Sequence, residues 1–179
     1  MSEIIEKAKE FFKNIVKESK DPYHLLTHLD VFGFCVEHVL KKIKADEEIV
    51  LLGMWFHDSG TYPLNDEDHA IIGEKIARKF LTKEDYNKDK INAVCHCVRA
   101  HRNNDVPPET NEAKVIAFCD SLSHMTNGCY LDMVNKKQDD IKGKLERDYR
   151  DLDFFPEIKK EFETLYEFWK TWIKLNERA

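Results

Sequence analysis

No stretch of this sequence approaches the roughly 18 consecutive apolar residues of a membrane-spanning helix, so no membrane partner is expected. Alternating runs of valine, isoleucine and threonine are missing too, and with them the usual signal for β-strands. Basic charge is not in excess. The net charge of -6 and a pI near 5.8 provide no positive field for a nucleic-acid backbone, and charges of both signs are mixed along the chain. The N-terminal "MSEIIEKAKEFFKNIV" has no continuous apolar core and reads as an amphipathic helix, not a signal peptide. The five cysteines, Cys35, Cys95, Cys97, Cys119 and Cys129, are odd in number and fall within helix-periodic apolar segments, where a reduced thiol serves as a small hydrophobe. Cytoplasmic localisation is the expectation. The "CHC" at residues 95–97 is a poor zinc knuckle, because residues two apart on a helix face different directions.

Hydrophobic residues make up 42% of the 179, enough for one sizeable core, and apolar residues recur at helical spacing almost throughout. An all-α fold in one domain is predicted. The first helix should run from about Ser2 to Lys20, broken by "SKDP", and a second should start just after Pro22 with His24 and His28 neighbours on one face. Asp46 is a good N-cap for a third helix that ends at His57-Asp58, followed by a turn-rich loop, "SGTYPLN". A fourth helix is expected over 66–81 and a fifth, approached through a Thr82 cap, ending near His101. A sixth begins around Thr110 or Asn111. Two more, over about 130–150 and 156–177, close the chain, the last with Pro156 in its first turn.

A His-Asp dipeptide alone means little, since eight histidines and 16 aspartates in this length predict roughly 0.7 by chance. His57-Asp58 has company, however. His28 lies upstream, His69 and His101 lie on the next two helices, and Asp120 interrupts the apolar run "VIAFCDSL". An ionised aspartate on an apolar helix face is costly unless a cation or hydrogen bonds compensate it. His28, His57, Asp58 and Asp120 supply a mixed nitrogen and oxygen set suited to manganese, iron, nickel, cobalt or zinc. His69 and His101 could complete a second site, with Asp58 the bridge and a shared water, acidified by the cations, the nucleophile. Of the other histidines, His96 and His38 are expected in structural or surface roles. His124, one turn after Asp120, is either a partner of the ligands or a core residue. The stripe from Phe162 to Ile173 reads as core or as a subunit contact, which leaves room for a homo-oligomer. The charge run "NKKQDD" reads as a solvated face.

The order His28, His57-Asp58, Asp120 in a helical chain resembles the HD superfamily of metal-dependent phosphohydrolases. "DHAIIGEKIARKFL", "VRAHR" and "PPETNEAKVIAFCDSLSHM" are similar to that family's segments between the HD pair and its last aspartate. The likeness covers residues 23–126, with 1–20 and 130–177 as flanking helices. It implies a helical HD bundle in which one or two divalent ions are held by His28, His57, Asp58 and Asp120, with His69 and His101 as ligands of the second. The implied activity is hydrolysis of a small phosphate ester or anhydride, with a nucleotide as the favoured substrate. "YHLLTH", residues 23–28, is similar to the "YHNxxH" signature of the cyclic-nucleotide phosphodiesterase branch, although Leu25 stands where the signature has asparagine. That likeness makes His24 the general acid beside Asp58. Many phosphohydrolase relatives place a lysine shortly after HD. This sequence has "SGTYP" there, so Arg99, Arg102 and Lys75 are the candidate phosphate-binding residues. The same departure leaves open a di-iron oxygenase on the same ligand set, and a non-catalytic nucleotide-binding module is the third reading.

Overall fold

Apolar residues spaced three and four apart give each helix one buried stripe, and the stripes meet in one core. The computed structural model describes residues 2–21, 23–63, 67–136 and 140–176, and these contain helices and no strand. Helix α1 (Glu3–Ser19) buries Ile5, Ala8, Phe12 and Val16. Helix α3 (Glu47–Phe56) starts at Asp46, whose carboxylate accepts the Glu48 and Ile49 N–H groups as an N-cap should. Helix α4 spans His69–Lys83 behind an Asp68 cap, and α6 spans Asn111–Thr126 behind Thr110. Helix α6 is buried on nearly every side and packs against α2 (Leu25–Leu40), α3, α5 (Lys88–Ala100) and α8 (Ile141–Asp151). The buried apolar residues, from Ile5 in α1 to Ile173 in the last helix, form one cluster. Each fully buried aromatic among them, such as Phe56 or Phe118, contributes roughly 1.5–3 kcal/mol.

Several boundaries differ from the sequence expectation. His24 is not on the face of α2: it precedes the helix in the left-handed conformation, φ 57°. The cap is supplied by Asp21, whose carboxylate accepts from Leu25 N at 2.7 Å and Leu26 N at 3.2 Å. Thr82 lies inside α4, and it is Asn87 that caps α5 by accepting from Asp89 N and Lys90 N. The helix expected over 130–150 is two helices, α7 (Cys129–Asn135) and α8, with Asp140 left-handed at φ 58° before the second. The final segment begins at Pro156 as predicted but is interrupted. It forms α9 (Pro156–Lys159), a 3-10 turn at Lys160–Phe162 and α10 (Glu163–Asn176). Of the expected features, Pro22, Leu64 and Asn65 of the loops, Asp66 at the start of the fourth helix, residues 137–139 of the charge run and residue 177 lie outside the described residues.

The aromatic stripe is mostly core: Tyr166, Trp169 and Ile173 are buried, with the Trp169 indole donating to Met125 O, while Phe168 is exposed. All five cysteines are free thiols, and four are buried. Among the described residues no helix is long and apolar enough to cross a membrane.

Candidate metal centre

Four helix ends and the middle of α6 converge on one point. His28 comes from the first turn of α2, His57 and Asp58 follow the last residue of α3, His69 opens α4, His101 follows α5, and Asp120 comes from α6. The approach of α4 to the HD turn depends on glycine. A Cβ on Gly60 would fall 2.1 Å from His69 O and 2.6 Å from Gly73 N, so only a bare backbone lets α4 bring His69 to Asp58.

The donor atoms form two groups that share Asp58. In the first, His28 Nε2 lies 3.1 Å from His57 Nε2 and 3.2 Å from Asp120 Oδ1. Asp58 Oδ2 stands 3.3 Å from His57 Nε2 and 3.8 Å from His28 Nε2. In the second, Asp58 Oδ1 is 3.4 Å from His69 Nε2 and 4.0 Å from His101 Nε2, and these two nitrogens are 3.1 Å apart. The carboxylate of Asp58 thus turns one oxygen to each group.

The outer nitrogens fix which ring atoms face inward. His57 Nδ1 donates to Met54 O at 2.8 Å and His101 Nδ1 donates to Val98 O at 2.6 Å, so in the neutral rings both Nε2 atoms turn a lone pair inward. Ser123 Oγ donates to Asp120 O at 2.7 Å, which leaves its lone pair to accept from His28 Nδ1 at 3.1 Å. The Asn127 amide nitrogen is a longer 3.3 Å from the same ring atom. Bare nitrogens and carboxylate oxygens this close repel one another unless positive charge lies among them.

The electrostatics point the same way. Burial opposes charge on His57, yet Asp58 and Asp120 hold its pKa well above the ordinary imidazole value. Burial would raise Asp58 and Asp120, but the surrounding histidines hold both well below the usual carboxylate range. His28 is lowered by burial against the pull of Asp120, and His101 is lowered to about 4 by burial and by the charge of His57. These charges balance one another away from water, with His57 fully buried and the Asp58 side chain 15% exposed. His28, His57 and Asp58 could hold one ion, and Asp58, His69 and His101 a second. Their nitrogen and oxygen atoms suit a first-row transition metal.

The remaining expected residues divide. His24 is exposed and lines a cavity of about 290 Å³ together with His28 and Asp58. Arg102 lines the cavities on the His69 side and pairs with Asp68 at 2.5 Å. Arg99 is not brought there: its guanidinium grips the carboxylate of Asp105. Lys75 is 65% exposed and lines none of these cavities, although it pairs at 2.5 Å with Glu67, which lines the one shared by Asp58 and His69. His96 accepts from Glu109 N and secures the loop before α6, and His38 pairs with Glu161 at the surface.

Three residues near the centre were not singled out as site residues. His124 stacks on His28 at 5.3 Å and could join His28 and Asp120 around an ion. Asp148 and Lys144, on α8, contact its outer nitrogen Nδ1 at 3.4 Å and 3.1 Å. Helical spacing relates His124 to Asp120, but no local signal relates either to a helix some 20 residues further on.

The HD domain matches residues 23–125, more than half of the chain and the span that holds every candidate ligand. No curated protein and no solved structure matches the chain significantly. The chain belongs to the HD domain family.

Proposed function

We propose that the protein is a metal-dependent phosphohydrolase acting on a small phosphate ester or anhydride, with a nucleotide as the favoured substrate. The observation that carries this reading is Asp58, whose two oxygens face two separate histidine groups, 3.3 Å from His57 and 3.4 Å from His69. The family is generally one of metal-dependent hydrolases. In the proposed site His28, His57, Asp58 and Asp120 hold one ion, and Asp58, His69 and His101 the other. Manganese, iron, nickel, cobalt or zinc held there would activate water near neutral pH and offset charge developing on the phosphoryl oxygens.

The chain's own residues do the rest. Met54 O, Val98 O and Ser123 Oγ hold three imidazoles in the ligating tautomer. His24, exposed at the rim of the cavity that contains His28 and Asp58, is placed to protonate a leaving oxygen. Arg102 can hold a phosphate oxygen from the other side. Tyr23, stacked on Tyr62 with rings 14° from parallel and 53% exposed, offers a flat face at the same rim. That face supports a substrate with a base to stack. Five free thiols support a reducing, cytoplasmic setting.

The test is phosphate release over a panel of nucleotides and other phosphate esters, with each of the five metals added in turn. Release that depends on metal supports the reading. Oxygen consumption without phosphate release would instead select a di-iron oxygenase, and tight binding of nucleotides left intact would select a regulatory module.

A further inference from the structure

No lysine closely follows His57-Asp58, and of the cations expected to bind phosphate Arg102 lines cavities at the centre while Arg99 and Lys75 do not. A further one arrives from a distant part of the chain. Lys144, on α8, lines the cavity shared by His28 and Asp58 as well as the one shared by Asp58, His69 and Asp120. It is thus on both sides of His124. Its Nζ is 3.1 Å from His124 Nδ1, and His124 Nε2 is 3.6 Å from Asp120 Oδ1, so a single imidazole separates the ammonium from a candidate ligand.

The setting is built and not incidental. The Lys144 side chain is 23% exposed and forms part of the cavity wall. Its counterion is Asp148, 3.2 Å away, itself buried and fixed by the Tyr130 hydroxyl, which donates at 2.6 Å. An ammonium has three N–H donors. Asp148 accepts one and His124 Nδ1, where that nitrogen carries no proton, a second, which leaves at least one for a ligand. Arg147, three residues on, and Arg102, just after α5, line the same cavity of about 320 Å³. Lys144, Arg147 and Arg102 share this cavity with Asp58, Asp120, Asp148 and Asp151, and Arg147 and Arg102 are paired with Asp140 and Asp68, so the cavity becomes net positive, and suited to a terminal phosphate, once ions occupy the candidate metal groups.

We infer that Lys144 is a phosphate-binding residue of this site, aided by Arg147 and Arg102, and that α8, beyond the residues matched by the HD domain, completes a pocket for phosphomonoesters. This rests on the phosphohydrolase reading. The probe is inorganic phosphate, titrated calorimetrically into metal-loaded full-length protein, alongside KM and kcat for a hydrolysed monoester. Lys144→Met should weaken phosphate binding and raise KM by about 10- to 100-fold, the loss of one charge-assisted hydrogen bond, with metal content unchanged. Lys144→Arg should restore most of both, which a purely structural role would not require. If the wild type binds phosphate and folded Lys144→Met binds it equally well, the assignment of Lys144 is wrong while the hydrolase reading stands. A metal-loaded wild type that neither binds phosphate nor releases it from any ester overturns both. Should Lys144→Met fail to fold, Arg147→Gln decides: its side chain is 49% exposed, so the core is spared. Weaker phosphate binding is then expected, and unchanged binding overturns the pocket.

Discussion

The hydroxyl of Ser123 lies 3.1 Å from Nδ1 of His28 and donates its own hydrogen bond to the carbonyl of Asp120, 2.7 Å away. One small residue thereby sets the tautomer of one candidate ligand and braces the backbone of another. It is fully buried, so water cannot take its place. Ser123→Ala should therefore leave the fold intact and weaken metal binding by about 10-fold or more, as loss of an outer partner typically does. Metal titration of the apo variant, with circular dichroism as control, checks this; wild-type affinity would show that the hydroxyl does not orient the ring.

Gly60→Ala tests the close approach of α4. The added methyl meets backbone of His69 and Gly73 at 2.1 and 2.6 Å, and backbone cannot swing aside as a side-chain tip can. A loss of about 1–3 kcal/mol in stability is expected, together with a selective loss of the metal held by Asp58, His69 and His101. Denaturant unfolding and metal counting read the two effects. An unchanged midpoint with full metal content would mean that the helix end adjusts freely.

Acid should act on a site far from the metal centre. Glu48, on α3, accepts from the Tyr86 hydroxyl at 2.5 Å and from Lys90 Nζ at 2.9 Å, and these partners hold its carboxyl down to about 2, from 4.5. A depressed carboxyl stabilises the fold above pH 4.5, and that contribution fades as pH falls toward 2. Tyr86→Phe should cost about 1–2 kcal/mol at pH 7 and progressively less below pH 4.5. Melting curves of both proteins from pH 7 to pH 3 should converge. A constant gap would assign the effect to packing of the ring.

The proposed general acid gives a different signature. His24 is exposed and touches the cavity rim without bracing any helix, because Asp21 caps α2. His24→Ala should keep metal content and stability while lowering kcat by about 10²- to 10⁴-fold for esters with poor leaving groups. Esters whose leaving group departs unprotonated should lose far less. Equal losses for both would remove His24 from proton transfer.

The helices and the convergence of His28, His57, Asp58, His69, His101 and Asp120 were legible because each rests on local signals: periodicity, caps, and a carboxylate where an apolar face forbids one. Asp46 and Thr110 cap their helices as the sequence suggests. Positions that depend on two distant segments were not legible. His24 looked like part of a helix face until the Asp21 carboxylate turned it into the left-handed region. Arg99 looked free until the following loop brought Asp105 against it. Lys144 and Asp148 became neighbours of His124 only through the packing of α8 on α6, a contact no spacing encodes.

Asp58 as the bridge between two ions is the central claim, and elemental analysis of reconstituted Asp58→Ala beside the wild type tests it most directly. Two divalent ions per wild-type chain and loss of bound metal from the variant, with Asp120→Ala losing metal as well, is the predicted result. An Asp58→Ala protein that retained the full wild-type metal content would contradict it.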